Sequence, residues 1–323
     1  MAILAGIDEA GYGPLLGPMV VSCSAFSLPD EYLKRDLWGL LSNAVAKDGR
    51  KLSGRILITD SKKAYKKSGD IRQLRRTVLS CLGACGCESS MPGTVQELFG
   101  RLAPDCCGQL SEYPWYDDIG QTPINADADT SIAGGALQRN LQESRMSLPA
   151  LRSRFLEVSS YNEKVNTVKN KARVLFGEVC SLIQYIWDTF GGSGQRICVL
   201  VDHQGGRVRY HRELLRMFGD FSLKILSEET CRSSYELGSG GDRMRIHFIT
   251  KADQNFLPVC LASMVSKFLR ELLLERLNSY FIRNLPDLKP TAGYWQDGQR
   301  FVNDLKSYGA INYNDSEKLI RCK

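Results

Sequence analysis

Four acids stand where apolar segments of the chain stop. In GIDEAGYGP a run beginning at Ala2 breaks at the adjacent carboxylates Asp8 and Glu9; RICVLVD ends on Asp202; RMRIHFITKAD leads into Asp253, where a long helix begins. Acidic side chains are seldom buried without a partner, so each end is either solvated or faces a cation. Taken singly, each acid also suits a strand end or a cap, and Asp253 has the placement of an N-cap. Gathered at the carboxyl ends of strands, where open α/β sheets bind ligands, the four would raise one another's pKa unless positive charge neutralised them. Oxygen-only donors select a hard ion such as Mg²⁺ or Mn²⁺, and no Cys/His spacing competes for a softer metal. Neighbours in a regular strand face opposite ways. Asp8 and Glu9 can therefore share a site only if the strand bends or ends between them, as Gly11, Gly13 and Pro14 allow.

The elements that must position these acids read as α/β. Residues 2–8 and 18–26 pattern as strands joined by a Gly/Pro loop, Ile56 to Thr59 as a short strand before a basic turn, and Ile71 to Leu82 as a helix. From Val165 to Phe190 apolar residues recur at three- and four-residue steps, one face of a long helix. RICVLVD is a strand, Arg212 to Phe218 a helix, LKILSEET and RMRIHFITKAD two strands, and Leu257 to Phe281 a helix. Strands alternating with helices predict a sheet covered by helices. Between them, residues 84–156 carry glycine, proline and acids with little periodicity, and read as an insertion or small lobe. The catalytic domain would then comprise 1–83 and 157–323.

With 43% hydrophobic and 24% charged residues the chain has the composition of a globular domain. No run approaches the length of a membrane span, and no basic stretch precedes the first apolar run as in an export signal. Its eleven cysteines are thus expected as reduced thiols in the cytoplasm. The net charge of +6 is a weak pointer to a polyanionic partner. Cys81, Cys85, Cys87, Cys106 and Cys107 lack the pairing of a zinc site and read as incidental or buried thiols; Asp127 and Asp129 read as solvated.

GIDEAGYGPLLGPMVV resembles the opening motif of the ribonuclease HII family, GxDEAGRGPxxGPVV. Further segments follow in order. TDSKK at 59–63 resembles the family's DSKK, VNTVKNKA at 165–172 a helix start near Asn166, and VLVDHQ at 199–204 VLVDGN. KADQNFLPVCLASMVSKFLRE at 251–271 is similar to KGDxxxxxIAAASIxAKxxRD, and AGY at 292–294 resembles a late Gly-Tyr motif. The resemblance implies a ribonuclease H-like mixed sheet flanked by helices, with Asp8, Glu9, Asp202 and Asp253 as catalytic ligands of two divalent ions. It further implies an endonuclease acting on RNA in RNA–DNA hybrids or on ribonucleotides within DNA. Gly11, Tyr12, Gly13, Lys62, Lys251, Ser263, Lys267 and Tyr294 would line the substrate.

Two positions depart from the motif. Tyr12 stands where the family has arginine, and a phenol cannot make a bidentate phosphate contact. His203 replaces a glycine, and reads either as a proton carrier near the metals or as a hydrogen-bonded loop residue. A two-metal nuclease acting on another nucleic-acid structure, and a nucleic-acid-binding paralogue without catalysis, remain alternatives.

Overall fold

The structure is a computed structural model that describes residues 1–65, 69–85, 91–311 and 313–322. It opens on an antiparallel hairpin, β1 (Ala2–Ala10) and β2 (Met19–Leu28). Next come α1 (Leu37–Leu40), the short parallel pair β3 (Val45–Ala46) and β4 (Ile56–Leu57), α2 (Ser61–Ala64) and α3 (Arg72–Ala84). α4 (Val95–Leu102), α5 (Ala128–Glu143) and β5 (Ser147–Leu156) precede α6 (Val158–Val168), α7 (Lys171–Phe190), β6 (Arg196–Asp202) and α8 (His211–Met217). A meander of β7 (Ser222–Glu228), β8 (Arg232–Ser239) and β9 (Asp242–Ile249) enters α9 (Ala252–Asn255) and α10 (Leu257–Asn284). α11 (Trp295–Ser307) and α12 (Tyr313–Leu319) follow.

Seven strands form one mixed sheet in the order β5-β2-β1-β6-β9-β8-β7, with β1, β6 and β9 parallel. This is an α/β fold, a mixed sheet flanked by helices, as the sequence pattern leads one to expect. Alternation along β1 sends Ile3, Ala5 and Ile7 into a core shared with α7, and Ala2 and Leu4 into one shared with α10. No helix among the described residues is long and apolar enough to cross a membrane.

Where α10 crosses β1 there is no room for a side chain: a Cβ on Gly6 would stand 2.3 Å from the Pro258 carbonyl carbon. Gly6→Ala must push helix and sheet apart, and overpacking of this kind costs about 3 kcal/mol. Urea unfolding should show the lowered midpoint; an unshifted midpoint would mean the helix yields freely.

Several elements differ from the sequence pattern. RSSYELGS, which the sequence pattern leaves between two predicted strands, is the full strand β8, because Tyr235 and Leu237 pack inward between its polar neighbours. The long helical run is two helices: Lys169 takes a left-handed conformation, and Asn170 caps α7 by accepting from the amides of Ala172 and Arg173. Asn166 therefore lies within α6, not at a helix start. Residues 84–156 contain α4, α5 and β5, and β5 pairs with β2 as the edge strand of the central sheet. Leu98, Phe99, Trp115 and Leu137 from this stretch join the core that holds α10. Asp127 and Asp129 are exposed, as read, and Asp127 in addition caps α5 by accepting from the Thr130 amide at 2.8 Å. Cys87 falls outside the described residues; burial pushes the Cys81 thiol up to about 12.

Candidate active site

β1 does not end between Asp8 and Glu9. It continues to Ala10 along β2, with Asp8 opposite Ser22 and Glu9 opposite Val21, while its parallel pairing with β6 stops at Ile7 opposite Val201. The bend expected from the glycines is thus replaced by a strand that keeps one partner and loses the other. Asp8, on the α10 face, and Glu9, on the α7 face, both leave the sheet beside the end of β6, where Asp202 sits. Ser266 Oγ donates to the Asp8 carbonyl at 3.0 Å, and the Ser263 hydroxyl faces the Asp8 carboxylate. Asp202 Oδ1 accepts from the Ala252 amide at 2.7 Å and the Asp253 amide at 3.4 Å. The acid at the end of β6 therefore holds the start of α9. Asp253 lies in the first turn of that helix, while Lys251, at φ 57°, takes the cap position expected of the acid.

Electrostatics bind the four acids into one unit. Burial pushes Asp8 well above the usual carboxylate range, and Glu9 and Asp202 push it further. Glu9 rises to about 7, first by burial and then by the charge of Asp202. Asp253 rises to about 6 through burial, Asp202 and Asp60, against the opposing pull of Lys62. Asp202 is raised by burial despite its amide donors. Burial is the largest cause of each rise and the neighbouring acids add to it; the donors are all hard oxygens suited to Mg²⁺ or Mn²⁺. As the side chains stand, no three acids, histidines or cysteines among the described residues close around a single ion position. The donor chemistry of the four acids is that of a divalent-ion site.

Of the remaining predicted residues, Tyr12, Lys62 and Ser263 stand against these acids, and the others make contacts elsewhere or face solvent. Gly11, at φ +85°, lies so close to Arg270 and the Pro18 carbonyl that a Cβ would clash at 2.8 and 2.6 Å, whereas Gly13 faces open space. Tyr12 is partly buried beside Glu9, with the Lys171 ammonium 5.3 Å from its ring centre. Lys62 lies near Asp253. Ser263 is buried and bonds Ser61 Oγ at 3.0 Å. Lys267 is engaged with Glu271 at 2.8 Å, and Lys251 is exposed. Tyr294 is exposed, its ring centre 5.8 Å from the Arg270 guanidinium carbon. His203 Nδ1–H donates to the Gly205 carbonyl at 2.7 Å, the hydrogen-bonded loop arrangement.

Four residues that the sequence pattern did not single out join the site. Asp60 is a fifth acid and, with Asp8, a buried one, close enough to raise Asp253 and 3.4 Å from Gln254 Nε2; it sits inside TDSKK, a segment read for its lysines. Arg207 brings a cation to Tyr12 from the loop after β6. Arg270, fully buried in α10, donates to the Ala292 carbonyl at 3.1 Å. Arg321 reaches across the fold to donate to the carbonyls of Gly11 and Gly17, fastening the glycine loop from behind. Arg270 falls on the arginine of the motif that 251–271 resembles but has no role assigned by it; Arg207 and Arg321 stand outside any motif and leave no local trace of such contacts.

No family model and no curated protein matches the chain. Among solved structures it is similar to ribonuclease HII of Archaeoglobus fulgidus in a complex with PCNA, at 16% identity and a TM-score of 0.43 over 99% of this chain and 94% of that one. It is also similar to Bst-RNase HIII in complex with Mn²⁺, at 13% identity and a TM-score of 0.47 over 99% of this chain and 66% of that one. Ribonuclease H2 of Pyrococcus horikoshii OT3 aligns at 15% identity and a TM-score of 0.40 over 98% of this chain and 92% of that one.

Proposed function

We propose that this chain is a metal-dependent endoribonuclease that hydrolyses the RNA strand of RNA–DNA hybrid duplexes, leaving 5′-phosphate and 3′-hydroxyl ends. The convergence of Asp8, Glu9, Asp202 and Asp253 at one end of the sheet supports this most. A surface that only binds gains nothing from four mutually repelling acids, one buried and three half-buried. In this reading they hold two divalent ions, Mg²⁺ or Mn²⁺, whose chemistry when bound is to polarise a water for attack on phosphorus and to offset charge on the leaving 3′ oxygen. The amides of α9 keep Asp202 oriented, and Ser263 steadies Asp8. Gly11 and Gly13 let a substrate approach the backbone, and Lys62 and Lys251 offer ammonium groups to phosphates. Tyr294 presents an exposed ring on which a base or sugar can stack.

Tyr12 favours a second reading, in which the same acids act on another nucleic-acid structure. Here the cations beside the loop come from Lys171 and Arg207, and the recognition of a lone ribonucleotide in DNA is altered. Three labelled duplexes separate the readings: a continuous RNA–DNA hybrid, DNA carrying one ribonucleotide, and all-DNA, each with Mg²⁺ and with Mn²⁺. Hybrid cleavage that vanishes in Asp202→Asn is expected. Folded protein that binds the duplexes but cuts none would overturn the enzyme reading and leave the binding paralogue.

A further inference from the structure

α10 covers β1 and β2 on its face of the sheet, and the strands beyond them carry polar side chains there. Along β9, Met244, Ile246 and Phe248 point into the α7 core, while Arg243, Arg245 and His247 point to the opposite face. Arg232 and Glu236 of β8 lie on that same face, and Arg196 of β6 lies beside Arg243. With residues 30–38 and the start of α10 as walls, this face forms a groove of about 1140 Å³. Seven basic side chains line it, against four acidic ones.

Much of the acidic charge is already engaged. Glu236 pairs with Arg245 at 3.0 Å, Glu31 with Arg145 at 3.2 Å, and Asp36 caps α1. Arg243 donates to the carbonyl of Asp242, and Arg232 lies 3.1 Å from the neutral ring nitrogen of His247. Burial and the two flanking arginines, Arg232 and Arg245, hold His247 down at about 4, so it adds no charge. The groove also runs to the acids. Asn255 and Phe256 line it, two and three residues beyond Asp253, and Lys47 lines both it and a neighbouring cleft that contains Asp60, Lys63 and Gln254.

We propose that this face is a track for the phosphate backbone of a single nucleic-acid strand that leaves the carboxylate site past Gln254 and Lys47 and continues along Arg232, Arg243 and Arg196. Arg196 lies six residue steps from Asp202 along β6, about 20 Å at 3.3 Å per residue. A groove walled on both sides accepts a single strand more readily than a duplex. Bases need no specific partners here, because phosphate contacts carry position and affinity without sequence. The proposal rests on the nuclease reading for its direction but not for its charge.

The test is equilibrium binding in an Asp202→Asn background, which keeps the substrate intact. A blunt RNA–DNA hybrid is compared with the same hybrid bearing single-stranded tails of about ten nucleotides, across a salt series. The tails should tighten binding, and Arg232→Gln with Arg243→Gln should remove about tenfold of that gain at moderate salt. The slope of log affinity against log salt should fall by about 1.4 for the tailed substrate, two single-strand phosphates' worth, and stay unchanged for the blunt one. Both arginines are exposed, so the double variant keeps the fold. Tails that add nothing, or a double variant indistinguishable from its parent, would overturn the track and leave the nuclease reading intact. Tail binding without hybrid binding would support the track and sink the nuclease reading. Displacement of the tail by an acidic polypeptide at lower concentration than by single-stranded DNA would reassign the face to a protein.

Discussion

Glu9→Gln should melt several degrees above the parent protein at pH 8 in the presence of a chelator, while losing all metal-dependent cleavage. Glu9 is pushed from 4.5 to about 7 by burial and by Asp202, a shift of roughly 3 kcal/mol at about 1.4 kcal/mol per pH unit. Because the folded state holds this proton more tightly than the unfolded state, the stability it confers is present below about pH 4.5 and is lost as pH rises towards 7. Asp253 behaves alike between 3.8 and about 6. The chelated protein should therefore be most stable on the acid side of neutrality, and Mg²⁺ or Mn²⁺ should restore stability at pH 8 but add little at pH 5. Thermal melts at both pH values, with and without the ion, provide the check. An unchanged melting temperature for Glu9→Gln would mean that Glu9 is solvated and that the four acids are not coupled.

The opposite sign is expected one layer deeper. Glu271 accepts from Arg270 at 2.6 Å, Lys267 at 2.8 Å and the Tyr65 hydroxyl at 2.7 Å, all but buried in α10. Burial by itself would raise its pKa, but Arg270 and Lys267 hold it below 4.5. That stabilisation is present above the unfolded value and is lost as the pH falls through the lower folded value. Glu271→Ala leaves a buried guanidinium and an ammonium without their carboxylate, a change that costs about 3–5 kcal/mol. Arg270 is also what Gly11 packs against, so cleavage should fall along with stability. Tyr65→Phe removes the hydroxyl that donates to Glu271 and accepts from the exposed Gly69 amide at 2.8 Å, and should cost only about 1–2 kcal/mol, since Glu271 keeps both cations and the amide can turn to water. Denaturant titration of the two variants separates the cases. Equal, small losses would show that the triad is solvated rather than structural.

The acids were legible because each closes a local apolar run, a signal contained within a few residues. The strand and helix identities around them were legible for the same reason. What escaped has physical causes. α5 reads as ADTSIAGGALQRNLQE, with small residues where a helix usually shows an apolar stripe; Gly134 lies close enough to the Ser80 carbonyl that a Cβ would stand 3.0 Å away. Its helix packs by backbone approach, which hydrophobic periodicity does not detect. β5 carries Pro149 and two arginines that reach Glu178 and Tyr185 of α7, a composition that an edge strand tolerates and that looks like a loop from sequence. The expected bend after Asp8 was an inference from glycine content, whereas the separation of the two acids is resolved by β6 ending its pairing one residue earlier.

The hydrogen bond from Arg321 to the Gly11 carbonyl joins positions 310 residues apart. Contacts of that span cannot form until the intervening chain has collapsed, because loop closure must precede them. The acids themselves come from positions 8, 9, 60, 202 and 253, so the centre is assembled from segments synthesised far apart in time. During translation the glycine loop and its two neighbouring carboxylates emerge first and wait longest for their fastening residue. The nascent polypeptide thus stays without an organised centre through most of its synthesis, and the acid cluster is complete only once the domain has closed on itself.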